Sequence, residues 1–254
     1  MLTAQRRKEI FHILELAGQV ELNELANRFD VSVMTIRRDL EFLESKGRVR
    51  RVHGGAILTQ WKWTTDTIEV KSTTNIELKQ TIARNALQII HANSSIFLDA
   101  GSTTLEIAKL LSSEFIHSLN ICTPDLQIAS ILSKVKQFEV YSCGGLVNRS
   151  TESVGGPFCI HMIKSLYADL AFIGCDGITL KDGAMATQIS QVDVKQAMID
   201  RSLQCALVAD YTKFGRISFA TISALSTFDF MVSDGNLEPG IRLNVEKFGV
   251  KIIG

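Results

Sequence analysis

The chain has 254 residues, 46% of them hydrophobic, with 27 Lys and Arg balanced by 27 Asp and Glu. That length can bury one large core or two ordinary ones, and the composition excludes disordered, collagenous and low-complexity classes. No run of about 18 apolar residues occurs, the opening MLTAQRRKEI lacks the apolar stretch of a signal peptide, and the 5 cysteines contain no Cys-x-x-Cys pair. Reduced thiols, a cytoplasmic location and no membrane association are therefore expected.

Ile10, Ile13, Leu14 and Ala17 recur at helical spacing, and Leu22, Leu25, Ala26 and Phe29 repeat it, which predicts two amphipathic helices broken around Gly18. Ser32 is suited to cap a third helix over Val33, Ile36, Leu40 and Leu43. At about 100° per residue, Arg38 points away from that apolar set, with Met34 and Thr35 beside it and Arg37 on its flank. Gly47 ends this helix. Arg48, Arg50 and Arg51 then alternate with Val49 and Val52 before the turn at His53, Gly54 and Gly55, which predicts a β-wing. Phe42 fits neither face of the third helix and is expected under that wing.

Six basic residues lie between Arg37 and Arg51, four of them in 46-KGRVRR-51. Such a cluster is by itself most often a solvated face. Here its neighbours favour nucleic acid, because a helix fits the major groove, Arg can grip guanine with two hydrogen bonds, Thr can touch a base edge, and alternating arginines can meet phosphate. The plain alternative pairs Arg37 or Arg38 with Asp39, Glu41 or Glu44, worth about 0.3–0.5 kcal/mol. Asp39 reads as an ion-pair partner that orients an arginine, since phosphates repel a carboxylate.

The run 32-SVMTIRRDLEFLESKGRVRRVHGGA-56 resembles the winged helix-turn-helix of the DeoR family of bacterial transcription regulators. The resemblance implies contacts to double-stranded operator DNA from Thr35, Arg37 and Arg38, with Arg50, Arg51 and His53 in the wing. Ser32, which opens the motif, and Arg48, in the basic ribbon, complete the candidate DNA-binding set.

Residues 58–74 read as a Thr-rich linker containing Trp61 and Trp63, dividing a reader over 1–57 from a second domain over 75–254. In that domain the apolar runs 95–98, 119–122, 138–141, 170–173, 205–209, 230–232 and 250–253 alternate with helical patterns near 104–111, 126–132 and 192–203. This alternation predicts a mainly parallel sheet covered by helices. Ligands of such sheets bind beyond the carboxyl ends of the strands. The first strand is followed by 99-DAGSTT-104, which opens a helix. Gly101, the hydroxyls of Ser102, Thr103 and Thr104, and the free N–H groups of a helix start suit an oxyanion, phosphate first of all; an ordinary capped helix is the bland alternative. No Gly-Lys-Ser/Thr or Gly-x-Gly-x-x-Gly motif follows, and His12, His53, His91, His117 and His161 are scattered without ligand spacing, so no cofactor or metal is expected. Other strand ends carry Gly144 and Gly145, 174-GCDGI-178 and 210-DYTKFG-215. Asp99 and Asp176 suit sugar hydroxyls, and Lys213 suits a phosphate unless it is a surface ion pair.

These stations, with 79-KQTIA-83, again resemble the DeoR family, whose sensor half is similar in fold to ribose-5-phosphate isomerase and binds phosphorylated sugars. The resemblance implies effector contacts from Asp99, Gly101, Ser102, Thr103, Thr104, Gly145, Asp176 and Lys213, with Gly144 beside them. Three departures from the family pattern are visible: Lys71 for an arginine, Thr123-Pro124-Asp125 for Thr-Asn-Ser, and Gln191 for a glutamate. Asp125 is expected to add a carboxylate to the pocket rim. The expected function is a regulator, a repressor by family habit, of a carbohydrate-use operon, acting as a dimer or tetramer. A sugar-phosphate isomerase with an accessory DNA-binding domain is the alternative. It needs a carboxylate base such as Asp176, but the acidic run Asp-Gly-Ala-Asp-Glu that accompanies that base in the isomerases is here only Gly-Cys-Asp-Gly.

Overall fold

The computed structural model describes residues 2–17, 19–45, 49–58, 67–115 and 117–254. Gly18, Gly47, Arg48, Trp61 and Trp63 lie outside them. The chain divides near residue 61 into two compact units.

The first unit contains α1 (Thr3–Ala17), β1 (Gln19–Glu21), α2 (Leu22–Phe29), α3 (Val33–Ser45), β2 (Val49–Val52) and β3 (Gly55–Leu58). The apolar stripes meet in one core of Ile10, Leu14, Leu25, Ile36, Leu40 and Leu43. Asp30 ends α2 in the left-handed conformation, and Ser32 starts α3 by accepting the Thr35 N–H at 3.2 Å. The wing is a three-stranded antiparallel sheet in the order β1-β3-β2. The strand β1 was not foreseen, because three residues with one apolar member are too few to establish an alternation. It runs so close to β3 that a Cβ on Gly55 would lie 2.0 Å from the Val20 carbonyl oxygen, so only glycine fits there.

In the second unit come α4 (Ile68–Thr73), α5 (Ile76–Leu87), β4 (Ser95–Leu98), α6 (Ser102–Glu114), β5 (Leu119–Thr123), α7 (Leu126–Leu132), β6 (Phe138–Ser142), β7 (Leu146–Asn148), β8 (Ser153–Gly155), α8 (Pro157–Lys164) and β9 (Ala168–Gly174). They are followed by β10 (Gly177–Thr179), β11 (Gly183–Ala186), α9 (Ile189–Asp200), β12 (Ser202–Val208), β13 (Ala220–Ser223), β14 (Phe230–Val232), α10 (Pro239–Glu246) and β15 (Lys251–Ile253). Seven strands form one parallel sheet in the order β15-β14-β12-β9-β4-β5-β6. Strand alternation divides the core between its faces. Ile96, Leu98, Leu170 and Phe172 pack with residues of α5, α6 and α7, whereas Phe97, Ala171 and Ile173 pack with residues of α8, α9 and α10. A smaller antiparallel sheet, β10-β11-β13, and the hairpin β7–β8 complete the unit. The segment read as a linker contains α4, whose Ile68 is buried. Among the described residues no helix is long and apolar enough to cross a membrane.

Candidate functional site

On α3, Arg37 and Arg38 are exposed, as is Met34. Thr35 is half-buried, its hydroxyl 2.9 Å from that of Ser32. The acidic neighbours are committed elsewhere. Asp39 is buried and accepts Arg6 Nε at 2.6 Å and Arg7 Nε at 2.8 Å, both from α1. Glu41 and Glu44 take Arg51, each at 2.7 Å, and Glu44 also accepts the Arg51 N–H at 2.8 Å. The alternative pairing of Arg37 or Arg38 with these carboxylates does not occur among the described residues, because Asp39 faces inward to α1 and Glu41 and Glu44 hold Arg51. Asp39 does hold arginines, though those of α1. Both outward guanidiniums are without an ion pair among the described residues. Arg50 is half-buried on β2 and His53 is exposed at the hairpin turn. Phe42 lies under Arg7 of α1, its ring centroid 3.9 Å from the guanidinium carbon.

In the second unit a cleft opens at the carboxyl ends of β4 and β9. Residues 100–104 form one wall, 174–176 another, with Lys71, Lys195 and Lys213 around it. It brings together Gly101, Ser102, Thr103, Thr104, Asp176 and Lys213 of the predicted set. The first N–H groups of α6 have no intrahelical acceptor, and the helix dipole makes this end positive. The Thr104 hydroxyl is spent on the Gly101 carbonyl at 2.8 Å, which leaves Ser102 and Thr103 as the hydroxyls with no such commitment. Lys213 is half-buried; its backbone N–H donates to the Asp210 carbonyl at 3.1 Å, but its ammonium has no hydrogen bond or ion pair among the described residues.

Asp176 accepts Lys71 Nζ at 2.6 Å, the Thr187 N–H at 2.9 Å and the Thr187 hydroxyl at 2.8 Å. Burial pushes its carboxyl up, but Lys71 and these donors outweigh it and hold the group well below the usual carboxylate range. Asp99 is buried beneath the cleft, where it accepts Lys195 Nζ and, at 2.9 Å, the Gly174 N–H. Lys79 is buried and donates to the Lys71 and Thr74 carbonyls, which ties the end of α4 to α5. Burial, with repulsion from Lys213, lowers the Lys79 ammonium to about 8.

Gly144 and Gly145 do not line this cleft. Gly145 has φ +147°, and a Cβ there would lie 2.5 Å from the Gly155 carbonyl oxygen, so glycine is needed where the chain enters the open end of the β7–β8 hairpin. Nor does Asp125 reach the rim. It is buried as the N-cap of α7, accepting the Gln127 and Ile128 N–H groups at 2.9 and 3.0 Å.

Sequence reasoning missed Lys195 as a site residue and saw Lys71 only as a departure from a pattern. Lys195 stands three residues after Val192 on the apolar stripe of α9, and a charged residue on a buried stripe is the signal that could have found it. Lys71 was hidden by the polarity of its segment.

A family model of the DeoR-like helix-turn-helix domain matches residues 6–61, and one of the DeoR C terminal sensor domain matches residues 74–235. The chain belongs to the DeoR family. An uncharacterized HTH-type transcriptional regulator of Haemophilus influenzae is 32% identical over 99% of this chain and 97% of its own length. The lactose phosphotransferase system repressor of Staphylococcus epidermidis is 32% identical over 91% of this chain and 92% of its own. Among solved structures, ribose 5 phosphate isomerase A from Neisseria gonorrhoeae is similar at 16% identity and a TM-score of 0.41, covering 57% of this chain and 56% of that one. As a DeoR-family protein, the chain is a helix-turn-helix transcriptional regulator with a C-terminal sensor domain.

Proposed function

We propose that this DeoR-family regulator is a cytoplasmic repressor of a carbohydrate-use operon, holding operator DNA as a dimer or tetramer and releasing it when a phosphorylated sugar enters the cleft. The observation that carries this reading is Lys213, an ammonium without a partner among the described residues, sharing one cleft with the positive end of α6. An anion there gains unspent N–H groups, two hydroxyls and a cation together. Asp176 then offers its oxygens to sugar hydroxyls. A relative named for repressing a lactose phosphotransferase system fits the same ligand class.

The isomerase reading is weaker. A carboxylate held by Lys71 and Thr187 well below its usual range is a poor proton acceptor. In the reader, Thr35, Arg37 and Arg38 on α3 are the groups to meet base edges, with Arg50 and His53 toward the backbone. One reading helix per chain grips only a half-site, which is why an oligomer on a repeated operator is proposed. The effector acts by binding one arrangement of the assembly better than the other.

The test measures operator affinity by fluorescence anisotropy, and melting temperature, across a panel of sugar phosphates and their unphosphorylated sugars. At least one phosphorylated sugar raises the melting temperature and weakens operator binding by about 5–150-fold, while its parent sugar does neither. If no member of the panel changes either quantity, the proposal fails.

A further inference from the structure

A second cavity, of about 290 Å³, adjoins the cleft, and Ala100 and Gln191 belong to the walls of both. Its walls are apolar where Pro124, Leu146, Val154 and Val194 contribute. The polar groups at its edge are mostly committed. Asp99 is neutralised by Lys195, and Asn148 donates to Gln188 at 2.7 Å while accepting the Ser150 N–H and hydroxyl. At the shared wall, Gln191 has a side-chain amide without a hydrogen bond among the described residues.

We infer that this cavity receives an uncharged, apolar substituent of the effector, so that the ligand is a sugar phosphate carrying an acyl or aryl group and not a bare one. The inference rests on the reading of the cleft as a phosphosugar site. With the phosphate at residues 101–104 and Lys213, the sugar lies against Ala100 and Gln191, and a substituent on it passes into the second space. A bare sugar leaves those apolar walls facing water, whereas an acyl or aryl group removes both surfaces from it. Gln191 can meet the linking atom, an amide carbonyl or a glycosidic oxygen, with its donor. Charged substituents are disfavoured, because no unpaired charge among the described residues faces this space.

Isothermal titration of the full-length protein with glucose 6-phosphate, N-acetylglucosamine 6-phosphate and phenyl β-glucoside 6-phosphate, and with their galacto counterparts, tests this. A substituted compound is expected to bind about tenfold tighter or more than its bare parent, the scale of one well-placed apolar group. Gly155→Leu grows a side chain where a Cβ would meet only the Ser190 carbonyl oxygen, at 3.8 Å. It should erase the preference and leave affinity for the bare sugar phosphate unchanged. Ser190→Trp, at an exposed position of the same wall, should do likewise without touching the core. Equal affinities for bare and substituted ligands overturn the inference, as does a preference that survives both variants. If bare sugar phosphates bind and substituted ones do not, the inference alone falls; if no sugar phosphate of any kind binds, the reading of the cleft falls with it.

Discussion

Lys71 donates to Asp176 at 2.6 Å, joining α4 to the loop that follows β9 across the cleft. The pair is partly buried, and each member has further duties: Asp176 also holds Thr187, and the Lys71 carbonyl takes Lys79. In Lys71→Ala the carboxylate stays in the cleft without its cation. Stability should fall by about 2 kcal/mol, between the values of exposed and fully buried pairs, and sugar-phosphate affinity by about tenfold or more, since an uncompensated carboxylate repels the anion. Adding Asp176→Asn should restore most of the stability. The sign in pH follows from the depressed carboxyl: its contribution is full above the unfolded pKa and is lost on acidification, so Lys71→Ala should flatten the acid limb of the wild-type stability curve. Urea unfolding across pH checks both statements, and an unchanged acid limb would show that the pair contributes nothing.

Asp125 shows the opposite sign. Burial pushes its carboxyl up to about 6 against the bonds from Ile128, Gln127 and Gly101, while the unfolded chain titrates near 3.8. Between those values the folded state takes up the proton first, so stability attributable to this group falls as pH rises through the window and stays low above it. Asparagine at the same N-cap keeps an acceptor oxygen and discards the charge. Asp125→Asn should therefore exceed the wild type by up to about 3 kcal/mol at pH 8, with the advantage shrinking toward pH 4. A difference independent of pH would mean that the group is better solvated than its burial indicates.

What the sequence disclosed, and what it hid, divides along physical lines. Each of the seven strands of the parallel sheet contains a short apolar run and was legible by it, although the edge strands β6 and β15 are only partly buried. The strands 177-GIT-179, 183-GAMA-186 and 220-ATIS-223 were not legible, because three or four mostly small residues give too weak a hydrophobic pattern to read. At the site, the turn after β4 was legible because Gly, Ser and Thr at a helix start beyond a strand end supply free N–H groups and hydroxyls, although an ordinary helix cap uses the same residues. Of the lysines around the cleft, Lys213 was legible just after a strand end, whereas Lys71 and Lys195 were not. Lys71 reaches it from a segment whose polarity reads as linker, and Lys195 from another helix, a convergence that only the tertiary fold creates.

Arg38 and Arg51 look equivalent in sequence, and the structure separates them. Arg38 is exposed without an ion pair among the described residues, whereas Arg51 is clamped by Glu41 and Glu44. To reach a phosphate, Arg51 must exchange an existing anion for a new one and gains little. Arg38→Ala should therefore weaken operator binding by about 1–3 kcal/mol, and Arg51→Ala by less than about 0.5 kcal/mol. Arg37→Ala belongs with Arg38→Ala if it meets bases, and should then relax sequence preference; if it meets phosphate it should lower the salt slope by about one. Anisotropy titrations over a salt series distinguish these outcomes. A larger loss for Arg51→Ala than for Arg38→Ala would refute this ordering.

Asp39 sits on α3, the helix proposed to meet the DNA bases, and yet is expected to act on stability alone. Its two oxygens hold Arg6 and Arg7, and both it and Arg6 are buried. Removing the carboxylate leaves a buried guanidinium without its counter-charge, which costs about 3–5 kcal/mol. The small apolar core of this unit has little reserve against such a loss. In Asp39→Ala, amide protection across α1 and α3 should fall by about 10²–10⁴-fold, while protection in β4 and β9 of the other unit stays unchanged. Hydrogen exchange resolved by peptide makes the comparison within one sample. Operator affinity should drop in this variant too, but only in proportion to the unfolded fraction. If binding is lost while protection in α3 persists, Asp39 acts on the DNA complex directly, and its assignment as the anchor between α1 and α3 is wrong.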